Sequence, residues 1–452
     1  MEQEKTEQKF HHALRISAEL CTGCTHCMKV CPTQAIRISK GKAVISEERC
    51  VDCGECYKAC PVSAIMVEQD DFGEIFNYKV RVALVPAVFI GQFPSAIPAS
   101  QVYAGLAELG FTHVFEIESV TGIIQEGYRR FMEKNPGYKP YISTFCPAII
   151  RLIQVRFPSM TDHLLLVKPP NDVAAQYFRN KLEQEGFSGA ETGMFYITPC
   201  AAKIAAVKKP VGEDRSAING VINMDYLYNR VLRLIRNNEI KTAGNFQAGF
   251  LSSTGIRWTL TRGESSVQKG RSLAVDGMSH VTEFLEKLEE TENSSIDFLE
   301  LRACDESCAG GILISGNRFL TVERLVRRAS DYPETPIGNG EEAEMYHEES
   351  YDLKPILPRP MMQLDSDISA ALEKMARMEQ LLKVLPGIDC GGCGSPGCRA
   401  LAEDIVRGKA GLSRCIFIQE LQIRDGRLSV EEADRINAEV WGADRKYRSQ
   451  NI

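Results

Sequence analysis

Sixteen cysteines in 452 residues constrain this chain more than any other feature of its sequence. Disulfide frameworks belong mainly to small exported domains, whereas this chain is long enough for several domains with a large core. Its first residues, MEQEKTEQKFHHALR, contain no apolar stretch of the kind that a secretory signal has. Many of the cysteines also follow one another in short C-x-x-C steps, which suit ligands that converge on a metal centre. The sequence therefore predicts a metal-binding protein, and we expect it to be cytoplasmic.

Two copies of one cysteine pattern lie within residues 1–78, which we predict to be one domain. Each copy has the spacing C-x2-C-x2-C-x3-C-P of bacterial two-cluster ferredoxins, in which the fourth cysteine of each run binds the other cluster. The runs consist of Cys21, Cys24, Cys27 and Cys31, and of Cys50, Cys53, Cys56 and Cys60. The pattern thus predicts two [4Fe–4S] clusters with Cys31 and Cys60 exchanged. A pair of zinc sites is the alternative, although zinc sites do not usually carry two intact runs of this kind.

Four further cysteines lie in the segment PGIDCGGCGSPGCRALAEDIVRGKAGLSRC, within a predicted C-terminal domain over 368–452. They are Cys390, Cys393, Cys398 and Cys415. The glycines between them allow the backbone to bend closely around a cluster, and a predicted helix over 399–407 would return the chain to Cys415. The segment resembles the single [4Fe–4S] module of corrinoid iron–sulfur proteins and of some membrane-linked electron-transfer subunits. A structural zinc ion is the alternative.

A proline-containing segment, 346–367, is predicted to be a linker, and a helix over about 368–385 follows it. We expect Asp365 or Ser366 to cap this helix. Its apolar residues step by four and three, as in a coiled coil. The helix would therefore pack on its own domain or on a second copy of the chain to form a homodimer. Fewer than three heptads are present, which favours packing on its own domain.

The central region, 79–345, alternates between strand and helix patterns. Strand-like runs cover 82–90, 113–117, 141–145, 194–198 and 297–301, and helical patterns cover 101–109 and the segment around 123–131. This alternation favours a mostly parallel sheet with helices on both faces. The predicted fold class is therefore α+β and α/β multidomain: an N-terminal ferredoxin-like domain, a central α/β domain and a small helical C-terminal iron–sulfur domain.

The remaining cysteines, Cys146, Cys200, Cys304 and Cys308, are scattered through the central region. The first three follow predicted strands, and open α/β sheets place ligands at the carboxyl ends of strands. Cys308 follows Cys304 by about one helical turn. Convergence of these residues on one cubane is consistent with the spacing, but the spacing alone does not require it.

The residues around these cysteines resemble the active-site domain of [FeFe]-hydrogenases. The segments TFCPA at 144–148, TPCAAK at 198–203 and LRACDESCAGG at 301–311 match its three signatures in order, and VPAV at 85–88 is also similar. The resemblance covers roughly 79–330 and implies an H-cluster. In that arrangement Cys146, Cys200, Cys304 and Cys308 hold a [4Fe–4S] cubane, and Cys308 bridges to a diiron subsite that carries CO, CN⁻ and a dithiolate.

The resemblance also implies roles for residues other than cysteine. Lys203 would pair with one cyanide, since an ammonium is a compact donor for a buried anionic group. The backbone at Pro86 and Ala87 would contact the other cyanide. Thr198 and Arg302 stand where the family usually has methionines that line the diiron pocket. The implied domain is thus an oxidoreductase that acts on H2, with a ferredoxin-type electron acceptor.

One departure from the family changes the expected activity. Phe145 stands where catalytic members carry the cysteine that donates the proton, and a phenyl ring cannot do this. A positioned proton donor typically contributes about 10²–10⁴-fold to the rate. Ser307 also replaces the usual glycine before Cys308. Every metal ligand is retained while its surroundings are altered, which resembles the sensory group of the family and implies a slow, H2-sensing protein. Other acids are candidate proton carriers: Glu116, Glu118, Glu126 and Glu306.

Two other functions remain open. Hydrogenase-like proteins without a diiron site act in iron–sulfur cluster assembly, and a plain electron-transfer protein would need only the cubane. Lys203 and Cys308 argue against the assembly function, because it has no need of a cyanide partner. The implied partners are H2, protons and a redox partner such as ferredoxin or a signalling protein. The formal charge of −7 argues against nucleic acid, and the longest apolar stretch falls short of the roughly 20 residues that span a bilayer.

Overall fold

The structure, a computed structural model, describes residues 10–241, 251–290, 295–334, 351–359, 361 and 363–443. Three regions follow one another along these ranges: an N-terminal region of short elements, a central α/β region and a helical C-terminal region. This is the fold class that the sequence predicts. The predicted domain boundary between residues 345 and 346 lies outside the described residues. None of the helices in the described ranges combines the length and apolarity that crossing a bilayer requires.

The N-terminal region consists of two similar halves, one for each cysteine run. Its elements are β1 (Leu14–Ile16), α1 (His26–Lys29), β2 (Ile36–Ser39), β3 (Lys42–Ile45), α2 (Glu55–Ala59), β4 (Ile65–Val67) and a 3-10 helix (Phe72–Asn77). β1 pairs antiparallel with β4, and β2 pairs antiparallel with β3. Each short helix begins inside a cysteine run, directly after a residue with positive φ, Thr25 at 73° and Gly54 at 84°. The chain therefore turns sharply within each run.

The central region contains seven strands and ten α-helices within its described ranges. They are β5 (Val80–Val85), α3 (Ala87–Gly91), α4 (Ala99–Glu108), β6 (His113–Glu116), α5 (Thr121–Lys134), β7 (Tyr141–Ile142), α6 (Pro147–Arg156), α7 (Pro170–Gln184), β8 (Thr192–Thr198), α8 (Ala201–Lys208), β9 (Gly220–Asn223), α9 (Met224–Arg236), α10 (Ser253–Arg257), β10 (Ser272–Asp276), α11 (Met278–Glu289), β11 (Phe298–Arg302) and α12 (Arg318–Ala329). Short 3-10 helices cover Ile117–Val120, Pro158–His163, Ser265–Val267 and Ser307–Gly310.

These strands form two parallel sheets rather than the single sheet that the sequence predicts. One has the order β6-β5-β8-β9 and the other the order β10-β11-β7. Every neighbouring pair is parallel, so the predicted strand direction is confirmed. The prediction of one sheet is wrong because an apolar run identifies a buried strand but not its neighbours, which are set by contacts distant in sequence. The patterns also indicate no strand at β9 or β10.

The predicted strand over 82–90 is wrong beyond Val85. Pro86 precedes helix α3, and the whole of Ala87–Gly91 is buried. A helix that is buried on all sides has no polar face, so its residues form the same short apolar run as a buried strand. The strand predicted over 141–145 also ends early, at Ile142.

The C-terminal region consists of four α-helices within its described residues: α13 (Ile368–Val384), α14 (Cys398–Val406), α15 (Ile416–Arg424) and α16 (Val430–Trp441). The side chain of Asp367 caps α13 by accepting a 2.7 Å hydrogen bond from Ala370 N. The predicted caps Asp365 and Ser366 do not do so, and Asp365 binds Lys374 instead. Met378 of α13 and Leu401 of α14 belong to one apolar cluster. The expectation that this helix packs on its own domain is confirmed.

This C-terminal region docks on the N-terminal region. Arg37 forms two hydrogen bonds with Asp404, at 2.7 and 3.2 Å, and the buried Arg49 pairs with Glu403. The backbone of β2 also joins the interface, since Ile38 N donates to the carbonyl of Gly394 at 2.8 Å. The two cysteine-rich regions therefore lie side by side although the whole central region separates them in sequence.

The segment predicted to be a linker follows the surface of the central region. Its backbone N–H groups at Leu353, Lys354 and Arg359 donate to Leu166, Gly212 and Gln154, at 2.8–2.9 Å. Tyr351 and Ile356 are buried against the same surface. The chain is thus held along this path before it reaches the C-terminal helices.

Candidate metal centres and the central pocket

The eight N-terminal cysteines form two groups of four. Cys31, Cys50, Cys53 and Cys56 line one cavity. In the other group, burial raises the pKa of Cys27 to about 11, and the nearby thiols of Cys24, Cys21 and Cys60 contribute to this shift. Cys31 and Cys60 thus each lie with the first three cysteines of the other run. Four clustered, largely buried thiols favour a bound cation, because metal ligation deprotonates and stabilises them as thiolates.

The four C-terminal cysteines also surround a single cavity. Cys390, Cys393, Cys398 and Cys415 line a small pocket between the start of α14 and the start of α15. Cys390 is solvent-exposed, whereas Cys393 and Cys415 are buried. Gly394 has a φ of 80°, and a Cβ there would lie 2.7 Å from the carbonyl oxygen of Ile38. Glycine at this position therefore permits the close approach of the cysteine loop to β2.

The four central cysteines come from both parallel sheets. Cys200 follows β8 of the four-stranded sheet, while Cys146 and Cys304 follow β7 and β11 of the three-stranded sheet. Cys308 lies in the 3-10 helix Ser307–Gly310. Burial raises the pKa of Cys200 to about 12, Lys203 opposes this shift, and the thiols of Cys308 and Cys146 add to it. The four residues therefore converge where the carboxyl ends of the two sheets meet, a position typical of ligand sites in α/β folds.

The N-terminal group that contains Cys53 lies beside this central group. Cys53, Cys146 and Cys200 all pack against one apolar cluster. Gly54 contacts the segment after Cys308, since a Cβ on Gly54 would lie 2.6 Å from Ile312 Cγ2. The cysteine groups thus form a series that begins at the C-terminal region, crosses the N-terminal region and ends in the central region.

Lys203 is buried next to the central cysteines. It is 3% exposed, and its Nζ donates a 3.3 Å hydrogen bond to Tyr196 Oη. Burial alone would lower the pKa of Lys203, but the negative charges of Cys308, Tyr196 and Cys200 raise it by more, so the net shift is upward. Lys203 is therefore a buried cation that faces the thiols.

Phe145 contacts both Lys203 and a second buried cation, Arg302. The Phe145 ring centroid is 4.3 Å from Lys203 Nζ and 3.5 Å from Arg302 Cζ. Arg302 Nη2 donates to Glu264 Oε2 at 2.8 Å, and its Nε donates to Glu300 Oε1 at 3.4 Å. Arg302 Nη1 is buried and has no hydrogen-bond partner among the described residues. The sequence places Phe145 and Arg302 near the site, but only the structure shows this stacking.

Glu264 is a residue of this site that sequence reasoning misses. Its carboxylate is fully buried and accepts hydrogen bonds from Tyr128 Oη at 2.8 Å, from Ser143 Oγ at 2.7 and 2.9 Å, and from Arg302. Burial raises the pKa of Glu264, Arg302 lowers it, and the neighbouring Glu300 raises it further. Glu264 is 38 positions from Arg302 in sequence, and no local pattern identifies this pairing.

The buried Glu118 lies beside the backbone at Pro86 and Ala87. Pro86 precedes α3, and Ala87 is fully buried. The Ala87 N–H is among the groups that lower the pKa of Glu118, whose Oε2 is buried without a hydrogen-bond partner among the described residues. Burial, with a contribution from Glu116, raises the pKa of Glu118 to about 8. The structure thus brings Glu118 to the position that the resemblance assigns to a cyanide contact.

Thr198 and Ser307 are both buried close to the central cysteines. Thr198 Oγ1 donates a 3.0 Å hydrogen bond to the carbonyl of Cys200. Ser307 has a φ of 53°, and its Oγ has no hydrogen-bond partner within the described part of the chain. Since a backbone with positive φ is unfavourable for a residue other than glycine, the position before Cys308 is strained.

Two of the other predicted acids are held in ion pairs. Glu116 pairs with Arg328, with one oxygen-to-nitrogen distance of 2.8 Å. Glu126 hydrogen bonds with Arg129 and Arg130, and these bonds lower its pKa to about 2. Glu306 has a φ of 61° and begins the turn that leads to Cys308. Glu118, by contrast, is buried and has a raised pKa.

The donor set around Cys308 fits an anionic metal group. Lys203 and Arg302 are buried cations, while Arg302 Nη1 and Ser307 Oγ are buried polar atoms that lack partners among the described residues. Buried polar atoms in native proteins are nearly always hydrogen-bonded, so such atoms commonly mark the place of a ligand. A group with negatively charged ligands would satisfy them.

Three family models match separate parts of this chain. The family model "Iron only hydrogenase large subunit, C-terminal domain" matches residues 79–244, a 4Fe-4S dicluster domain matches 13–61, and an Fe–S cluster family matches 385–417. The NADP-reducing hydrogenase subunit HndD of Solidesulfovibrio fructosivorans is 24% identical over 273 residues, which are 54% of this chain and 40% of that protein. This chain therefore matches less than half the length of that relative.

Two further proteins are similar to parts of this chain. The Na(+)-translocating ferredoxin:NAD(+) oxidoreductase complex of Acetobacterium woodii has a subunit that is 51% identical over 39 residues, 9% of this chain and 12% of that protein. A variant of [FeFe]-hydrogenase HydA1 from Chlamydomonas reinhardtii superposes with a TM-score of 0.48 and 16% identity over 62% of this chain and 94% of that one.

The fold and the cysteine groups define a multidomain iron–sulfur protein with an N-terminal [4Fe–4S] dicluster region, a central α/β domain and a C-terminal Fe–S region. Over residues 79–244 its central domain is similar to the C-terminal domain of the iron-only hydrogenase large subunit. The matched segment ends at residue 244, before Cys304 and Cys308.

Proposed function

We propose that this protein reacts reversibly with H2, 2H⁺ + 2e⁻ ⇌ H2, at a diiron site attached to Cys308, and that it does so slowly, as an H2 sensor. The observation that carries the proposal is the pocket around Phe145. Buried cations suited to an anionic metal group remain beside Cys308, whereas the proton-donor position holds a phenyl ring. The site is thus built to bind such a group but lacks the usual proton donor.

In this proposal Cys146, Cys200, Cys304 and Cys308 hold the central [4Fe–4S] cubane, and Cys308 is the bridge to the diiron subsite. When bound, this group supplies the binding and cleavage of H2. Lys203 donates to one anionic ligand through Nζ. Phe145 and its two cationic neighbours exclude water from the pocket.

The proposed reaction still requires a residue near this pocket that can hold a proton. Glu118 has a pKa of about 8, because burial disfavours its ionised form. It therefore carries its proton at neutral pH, and its unpartnered Oε2 is buried beside the start of α3. We propose Glu118 as the proton-holding group that partly replaces the missing cysteine.

The proposed output is electron exchange with a partner such as ferredoxin or a signalling protein in the cytoplasm. Support comes from the exposure of Cys390, which is the solvent-exposed member of the four C-terminal cysteines. Further support comes from the contact of this region with the N-terminal region through Arg37 and Arg49. A partner that docks at Cys390 would lie at the outer end of the series of cysteine groups.

The proposal is tested by loading anaerobically purified protein with a synthetic diiron dithiolate complex, or by co-expression with the maturation enzymes. Infrared spectra in the CO and CN⁻ stretching region are then recorded with and without H2. Sharp bands that change under H2 support the proposal, and a low turnover number separates a sensor from a catalyst. Unchanged bands under H2 contradict it.

A second function, cubane-only electron transfer or cluster assembly, is favoured by one specific feature. The Phe145 ring centroid lies 3.5 Å from Arg302 Cζ, and Glu118 lies beside Ala87. Both arrangements fill positions that a diiron group would contact. Absence of CO and CN⁻ bands from protein that carries all four cubanes would establish this second function instead.

A further inference from the structure

Arg302 is held rigidly on one side of the central pocket. Its Nη2 and Nε are bound to Glu264 and Glu300, and Nη2 also donates to the carbonyl of Trp258 at 3.2 Å. Both carboxylates are themselves fixed. Glu300 accepts hydrogen bonds of 2.8–3.0 Å from three backbone N–H groups, those of Arg262, Glu264 and Ser265. The guanidinium plane therefore has little freedom to turn.

The remaining nitrogen, Nη1, is the part of Arg302 that is not satisfied. The residue is 2% exposed, and Nη1 has no hydrogen-bond partner in the described ranges. Leaving a charged donor buried and unpaired is costly, so an acceptor is expected there. The thiols of Cys308 and Cys146 are among the negative groups that act electrostatically on this guanidinium. The unsatisfied nitrogen thus belongs to a side chain at the edge of the metal pocket.

Arg302 offers a donor that the resemblance does not include. The resemblance assigns one cyanide to Lys203 and the other to the backbone at Pro86 and Ala87. Glu118 lies beside that backbone, since the Ala87 N–H is among the groups that lower the pKa of Glu118. Arg302 stands where the family usually has methionine, which offers no hydrogen-bond donor.

We propose that Arg302 Nη1 is a second side-chain anion donor of this site, beside Lys203. Lys203 and Arg302 would then each bind one small anionic ligand, a cyanide of the diiron group. The identity of the anions rests on the proposed function. The existence of an anion site at Arg302 does not, because it follows from the buried and unpaired nitrogen.

The first experiment uses full-length protein loaded with the diiron complex and compares wild type with Arg302→Gln and Lys203→Gln. Each variant is expected to shift one CN⁻ stretching band and to leave the other in place, because each removes one charged donor. Arg302→Lys keeps the charge near Glu264 but lacks the Nη1 donor, and it serves if Arg302→Gln fails to fold. Arg328→Gln is the matched control, since Arg328 is a mostly buried arginine that pairs with Glu116 outside the pocket.

A second measurement does not need the diiron group. Azide, a linear anion, is added to protein that carries its clusters but was not loaded, and its infrared stretching band is followed. The wild type and Arg328→Gln are expected to bind azide, and Arg302→Gln is expected to bind it at least about tenfold more weakly. The reduction potential of the central cubane should also become more negative in Arg302→Gln, because a positive charge beside Cys308 and Cys146 has been removed.

The outcomes separate the two proposals. CN⁻ bands that are present in wild type and unshifted in Arg302→Gln and Arg302→Lys overturn the role of Arg302 while the proposed function stands. Absent CN⁻ bands together with azide binding that depends on Arg302 overturn the diiron function while the anion site stands. Absent bands together with azide binding that is equal in wild type and Arg302→Gln overturn both.

Discussion

Replacing Phe145 by cysteine restores the residue type that donates the proton in the catalytic relatives that this sequence resembles. If the missing donor limits the rate, H2 turnover should rise by at least about 10²-fold, the lower end of the usual contribution of a positioned proton donor. The assay is H2 evolution from a reduced viologen by protein loaded with the diiron complex. Infrared bands measured on the same samples normalise the rate to the amount of loaded site.

The same change should weaken the fold. Phe145 is 3% exposed, and its ring contacts Arg302 at 3.5 Å and Lys203 at 4.3 Å. Truncation of a buried phenylalanine costs about 3–5 kcal/mol, and a desolvated cation–π contact contributes about 2 kcal/mol. The truncation cost already includes part of the lost cation–π contacts, so the two values are not added. We therefore expect the free energy of unfolding to fall by about 4 kcal/mol. Anaerobic denaturant unfolding measures this loss.

Phe145→Leu is the control for this prediction, since it keeps an apolar side chain and adds no thiol. Its turnover should equal that of wild type, and its stability should lie between those of wild type and Phe145→Cys. Equal turnover of Phe145→Cys and Phe145→Leu, with equal diiron bands, would show that the missing proton donor does not control the rate.

Three further changes test other parts of the structure. Cys308→Ala should abolish retention of the diiron group, measured by infrared spectra, and leave the ferredoxin-type clusters intact, measured by electron paramagnetic resonance. Diiron bands that survive this change would mean that the bridge is another residue. Glu118 has a pKa raised to about 8, so its ionisation opposes folding above that pH, and the free energy of unfolding should rise as the pH falls from about 8 towards 4.5. Glu118→Gln should remove this dependence, which is measured by thermal unfolding at several pH values. An unchanged pH profile in this variant would refute the assignment. Glu403→Gln leaves the buried Arg49 without its carboxylate partner and should destabilise docking of the C-terminal region by about 3–5 kcal/mol. Limited proteolysis between the regions should then cleave the variant faster than wild type. Equal cleavage rates would contradict the prediction.

Some of the metal site could be read from local sequence because its ligands lie close together in the chain. Cys50, Cys53 and Cys56 are separated by two residues each, so a short turn brings them together whatever surrounds them. Cys390, Cys393 and Cys398 are also close in sequence, separated by two and four residues. The exchange of Cys31 between runs is also implied by spacing, since it follows from a repeat that is known to pair in this way.

The central site is different, because its parts come from distant elements. Cys146 and Cys200 follow strands of two different sheets, and strand patterns carry no information on which sheet a strand joins. Resemblance to a family, rather than spacing, indicated their convergence. The prediction of one sheet failed for the same reason.

The sequence by itself determined the local features of this protein: the cysteine runs, the alternation of strands and helices, and the presence of Phe145 and Arg302 at unusual positions. Only the tertiary structure decided how those residues act. It brought Phe145 against Lys203 and Arg302, paired Arg302 with Glu264, and placed Glu118 beside Ala87. Each of these contacts joins segments distant in sequence. Each also depends on burial, because a buried charged arginine needs a specific partner and a buried glutamate favours its protonated form.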